Sequence, residues 1–216
     1  MSDPAASVGR VFEGFPTESM RWFDLVAGKD GWAAVEPHQA DHERWVRQPM
    51  TALCAELAGE FGEPYVWRLH RSRWFWTHQA AEVEIADTVG LSVTLSGNGL
   101  RIRGGWLRSS PDQVQRFRAA VDSPAGKELE QAVAEATEAG FELSGHRLVR
   151  APRGFAADHP RAELLRHRTL VATQGWPIDD WIHTREALHR VRAGWHALDP
   201  LTGWFAEFVG PRERRM

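Results

Sequence analysis

LSVTLSGNGLRIRGGW, Leu91 to Trp106, places Leu91, Val93 and Leu95 alternately with Ser92, Thr94 and Ser96, and follows them with Asn98-Gly99. Strict alternation is the signature of a strand with one buried face, and an Asn-Gly pair supplies the positive φ angles of a tight two-residue hairpin turn. The return strand is Leu100 to Trp106. Counting outward from the turn pairs Leu95 with Ile102 and Leu91 with Trp106 on one face, and Thr94 with Arg103 and Ser96 with Arg101 on the other. One face is predicted to be core and the other basic. Just upstream, Val83 and Ile85 alternate with acids and extend the same pattern.

Helical signals flank this hairpin. Thr17 follows Pro16 as an N-cap candidate, Met20, Phe23 and Ala27 form an apolar stripe, and Gly28 closes the helix. Between Gly31 and Gly62, the residues Val46, Met50, Leu53, Leu57 and Phe61 recur on one helical face, with Pro37 and Pro49 expected to break or kink it. Downstream, Ser110 as cap and Pro111 at the first position open a helix with Val114, Phe117 and Val121 inward. A second helix runs from about Pro124 to Ala139 and makes a helical hairpin with it. Short β-like pieces at Phe141 to Leu143 and Arg147 to Val149 lead into the irregular loop APRGFAADHP, Ala151 to Pro160. A helical turn at Ala162 to Arg166 and a strand at Thr169 to Ala172 follow. Thr184 caps a helix carrying Leu188, Val191, Trp195 and Leu198, and Asp199-Pro200 starts a last one through Phe208. No repeat or linker divides this order. The reading is one α+β domain over residues 16–210, a largely antiparallel sheet packed against several helices, with a flexible tail at 1–15 and a basic tail at 211–216.

With 216 residues, 43% hydrophobic and 25% charged, the chain can bury a full core. It has no apolar run of the roughly 18 residues a membrane span needs, and its start lacks the pattern of a secretion signal, so the expected setting is cytoplasmic. The single Cys54 lies among Met50, Leu53 and Leu57 and reads as a small core residue, not a nucleophile. A net charge of −3 argues against a general nucleic-acid coat, yet Leu143 to Arg168 carries six arginines against Asp158 and Glu163. A local anion site is consistent with that imbalance.

The densest chemical signal is YVWRLHRSRWFWTHQ, Tyr65 to Gln79, which holds three of the eleven tryptophans, Arg68, Arg71, Arg73, His70 and His78, and no acid. Its front half reads as a strand and its back half as a loop edge. Guanidinium groups beside indoles suit an anion or a flat ring, because guanidinium forks onto phosphate or carboxylate and stacks on aromatics. Buried indoles with solvated arginines would look the same in sequence.

Trp22 to Phe61, WRLHR at Trp67 to Arg71, the hairpin, and PRGFAADHPRAELLRH at Pro152 to His167 together resemble the mainly bacterial family known as domain of unknown function 2461. Arg68, Arg71, Thr77, His78, Arg153, Gly154, Phe155, Asp158, His159 and Pro160 stand at the matching positions. The family pattern has a longer, lysine-bearing segment where this chain has Ser72, Arg73, Trp74, Phe75 and Trp76, and an aromatic residue at the position of His42. The resemblance implies a cytosolic α+β domain and supplies no established activity.

Standard motifs are missing. Gly97-Asn98-Gly99 precedes no helix, so it is no phosphate loop, and Ser144-Gly145-His146 lacks the flanking glycine of a nucleophile elbow. His38 and His42 share metal-like spacing but make only half a zinc site. No metal and no cofactor is expected, and the sequence carries no signal for an oligomeric state. Three functional classes remain. One is a binding module for a small anionic or phosphorylated ligand, using Arg68, Arg71, Arg73, Thr77, His78, Arg103 and Arg153. A second is an enzyme in which His78 or His159 works with Asp158 in acid/base chemistry. The third is an interaction protein docking through Trp74, Phe75 and Trp76.

Overall fold

The computed structural model describes residues 11–156 and 158–213. Its helices are α1 (Thr17–Ala27), α2 (Gln39–His42), α3 (Gln48–Phe61), α4 (Trp74–Thr77), α5 (Pro111–Asp122), α6 (Ala125–Glu138), α7 (Ala162–Leu165), α8 (Glu186–Ala197) and α9 (Asp199–Phe208). Strands β1 (Tyr65–Val66), β2 (His78–Ala86), β3 (Val89–Ser96), β4 (Gly99–Trp106), β5 (Glu142–Ser144) and β6 (Leu170–Trp176) form an antiparallel sheet in the order β1-β2-β3-β4-β6-β5. The fold is α+β. Among the described residues no helix is long and apolar enough to cross a membrane.

The alternation in the hairpin stands: Leu95 and Ile102 are fully buried, whereas Arg101 and Arg103 are exposed. The turn itself lies one residue earlier than expected, at Gly97-Asn98. Asn98 is not at positive φ; only Gly99, the first residue of β4, is, at 127°. One local and one long-range contact accompany the shift. Ser96 Oγ accepts the Asn98 backbone N–H at 3.2 Å, closing a side-chain turn, and the Trp176 carbonyl comes so near Gly99 that an added Cβ would lie 1.9 Å from it.

Contacts divide the chain into two compact units: Met1–Glu82 with Val93–Leu100 and Trp176–Arg192, and Val83–Ser92 with Arg101–Gly175 and Ala193–Met216. In the first unit α1 buries Ser19, Trp22, Phe23 and Val26, a stripe rotated from the expected Met20, Phe23 and Ala27. The rotation follows from Trp22, whose indole N–H donates to the Trp76 carbonyl at 3.0 Å. Pro49 does not break the following helix. A π-helical turn at Glu43–Arg47 precedes α3, and the Trp45 carbonyl, to which Pro49 has no N–H to offer, accepts the buried Ser19 hydroxyl. Of the stretch read as a tail, residues 1–10 lie outside the described residues. Phe12 and Phe15 are buried, and Glu56 accepts the Phe12 N–H at 2.7 Å while forking onto Arg185.

In the second unit Trp106 packs against Phe117 and Phe205, with centroids 5.2 and 6.1 Å away. The α5 start lies where the sequence predicts, with Ser110 before it and Pro111 first, and Gln113 Oε1 accepts the Ser110 backbone N–H. Gln113 Nε2 then donates to Thr88 Oγ1 and the Gly210 carbonyl, tying three segments together. The expected strand at Arg147 to Val149 is reduced to one bridge between Arg147 and His167. At the C-terminus Arg212 forks onto Asp87, and residues 214–216 lie outside the described residues.

Candidate functional site

The aromatic and basic stretch begins at the sheet edge. Tyr65 and Val66 pair with Glu82 and Ala81, and the Trp67 N–H continues to the Ala80 carbonyl at 2.9 Å. Buried Gln79 then donates from Nε2 to the carbonyls of Trp67 and Ala80 at 3.0 and 3.1 Å, fixing the path of the chain as it leaves the sheet. The back half, expected to be a loop, contains the single turn α4. Thr77 Oγ1 closes that turn on the Arg73 carbonyl at 2.9 Å.

Within α4 the helical period throws neighbouring rings in different directions. Trp76 is core, 2% exposed, while Trp74 is 41% exposed and Phe75 lies between. An apolar docking patch made of Trp74, Phe75 and Trp76 is therefore not present, because its third ring is buried. What the turn builds instead is a continuous ring cluster. Phe75 stacks on Trp67 at 4.7 Å, with His70 5.2 Å from Phe75. Trp74 lies 5.0 Å from Trp67 and is nearly parallel to His78, at 8° and 4.9 Å.

The three arginines differ. Arg73 lies over the Trp76 ring at 6.0 Å and reaches the Ala27 carbonyl at 3.5 Å. Arg68 and Arg71 are exposed and have no side-chain hydrogen bond or ion pair among the described residues. His78 Nδ1 lies 2.9 Å from Thr77 Oγ1 and 3.3 Å from the Trp74 carbonyl.

Arg103, Arg153, Asp158 and His159 belong to the second unit. Arg103 Nε donates to Ser92 Oγ at 2.9 Å, and Arg153 is exposed without a partner among the described residues. Asp158 is exposed and bonds to nothing there, so it neither caps the following turn nor pairs with His159. His159 works with Asp122 instead: its Nε2 lies 3.0 Å from Asp122 Oδ1 while its Nδ1 faces the Arg161 backbone N–H at 3.0 Å. Arg161 fastens the same corner, donating to Glu130 at 2.8 Å and to the carbonyls of Val121 and Ser123.

Of the two metal-spaced histidines, His38 pairs with Asp41 at 3.5 Å and His42 is buried edge-on to Trp22 at 4.9 Å. Burial, followed by the Arg47 cation, lowers the His42 pKa to about 4. Burial also pushes the Cys54 thiol up to about 12, so it carries no nucleophilic thiolate near neutrality. Asp122 had no local signal in the sequence, since it lies 37 positions from His159. The Trp74–His78 pair did have one, the four-residue spacing of neighbours on a helical turn.

The sequence pattern of the family described as conserved hypothetical protein (DUF2461) matches residues 66–204, and the chain belongs to that family. No curated protein matches it.

Proposed function

We propose that the first unit binds a small anionic ligand carrying a flat ring, with Trp74 as the stacking face and Arg68 and Arg71 as the anion contacts. The observation that carries this reading is the pairing pattern of the arginines. Arg47, Arg161, Arg166, Arg185, Arg192 and Arg212 each lie against a carboxylate. Arg68 and Arg71 do not, and they share with the exposed Trp74 a stretch that contains no acid. Like charges left together repel, and a bound anion offsets that repulsion. Arg73, held at Trp76, adds to the local positive potential.

At His159 the geometry favours binding over catalysis. Both ring nitrogens of His159 are engaged, one by Asp122 and one by the Arg161 N–H, which leaves neither to exchange a proton with a substrate. The test is a thermal-shift screen with inorganic phosphate, nucleoside monophosphates, aromatic carboxylates and aliphatic dicarboxylates. Ligands that combine a ring with an anion should raise Tm more than phosphate or a dicarboxylate does, since a ligand at 100 times its Kd adds about 2.7 kcal/mol. A flat response across all four classes would sink the reading.

A further inference from the structure

A groove of about 550 Å3 runs between α6 and α9 in the second unit. Its apolar floor includes Trp204, pinned by its indole N–H to the Ala125 carbonyl at 2.9 Å, and Phe208, whose tilted ring lies 5.0 Å from Trp204. Carboxylates line both banks, Glu128 and Glu135 on α6 and Glu207 on α9, against Lys127, the one cation among the described lining residues. Glu128 and Glu207 are exposed and have no cation partner among the described residues. Asp199, at one end, is already engaged by His196 at 3.0 Å.

Gly203 lies on the wall of this groove. It sits in the middle of α9, facing the groove, and a Cβ added there would meet nothing within 4 Å. No close contact calls for glycine, and glycine in a helix interior is less favourable than alanine. What its missing side chain does is leave the floor open. Glu128 and Glu135 lie seven residues apart on α6, about 10 Å at 1.5 Å per residue, so the acidic bank is two turns long.

From these features we infer that the groove docks two turns of a basic amphipathic helix from a partner protein. An apolar side chain of the partner enters over Gly203 onto Trp204 and Phe208, and its lysines or arginines meet Glu128, Glu135 and Glu207. The charge complementarity selects a cationic partner, and the apolar floor selects one with an apolar face.

The test is fluorescence anisotropy with a labelled helical peptide of Leu, Ala and Lys whose leucines lie along one face. The controls are a scrambled peptide of the same composition and spermine as competitor. The full chain should bind the amphipathic peptide about tenfold or more tightly than the scramble. Gly203→Leu should fill the floor and weaken binding about tenfold, with Tm unchanged or raised. Glu128→Gln with Glu207→Gln should weaken binding and reduce its salt dependence. Equal binding of peptide and scramble, or displacement by spermine at matched charge, would reduce the groove to a diffuse acidic surface and overturn the inference. So would unchanged affinity in Gly203→Leu, or no binding of the amphipathic peptide.

Discussion

His159 is oriented by Asp122, which lies 37 positions before it, and not by its neighbour Asp158. Because Nδ1 faces the Arg161 backbone N–H, it must accept, and the ring proton therefore sits on Nε2 and is donated to Asp122. The irregular loop from Pro152 to Pro160 is thus fastened to the end of α5. Asp122→Ala should cost about 1 kcal/mol in urea unfolding, whereas Asp158→Asn should stay within about 0.5 kcal/mol of wild type. The reverse order would show that the loop is held by Asp158.

Gly99 and Asn98 separate two accounts of the hairpin. With positive φ at Gly99 and the Trp176 carbonyl against it, Gly99→Ala should cost at least about 2 kcal/mol. Asn98 is not at positive φ, so Asn98→Ala should change stability by no more than about 0.5 kcal/mol. A large loss at Asn98 would indicate a primed turn centred on Asn98-Gly99.

His42 gives a pH dependence with a definite sign. Its folded pKa, about 4, lies below the ordinary 6.5, so the unfolded chain binds more protons between those values. Its contribution is complete above pH 6.5, falls as pH drops through the window, and levels off below pH 4. The span is about 3 kcal/mol. His42→Phe keeps a ring against Trp22 and should flatten this part of the acid slope, read as the difference between the two unfolding free energies across the range. Parallel slopes would mean that His42 titrates normally in the folded protein.

Much of the fold was legible because its signals are local. Alternation located β3 and β4, and Ser110-Pro111 marked the start of α5. Other features depend on partners distant in sequence. Trp74 and Trp76 are two residues apart and equally hydrophobic, and only the single turn α4 and the bond from Trp22 make one exposed and the other core. A four-residue helix of ring-bearing residues has little intrinsic propensity and leaves no periodic trace. The shifted turn is accompanied by the approach of Trp176 to Gly99 from 77 positions downstream, a contact no local pattern encodes. For the site, the sequence located the arginines and the rings, while the stacking of Trp74 on His78 and the separation of paired from unpaired arginines needed coordinates.

The central claim is that Arg68 and Arg71 hold one anion, and sulfate tests it directly. Melting temperatures in sulfate and in chloride at matched ionic strength should be compared for wild type, Arg68→Ala, Arg71→Ala, the double variant, and Arg101→Ala as an exposed arginine outside the ring cluster. The account predicts that sulfate raises the wild-type and Arg101→Ala values beyond chloride. Either Arg68→Ala or Arg71→Ala should remove most of that increment, and the double variant should lose little more, because both side chains serve one ligand. An equal sulfate increment in all five proteins would contradict it.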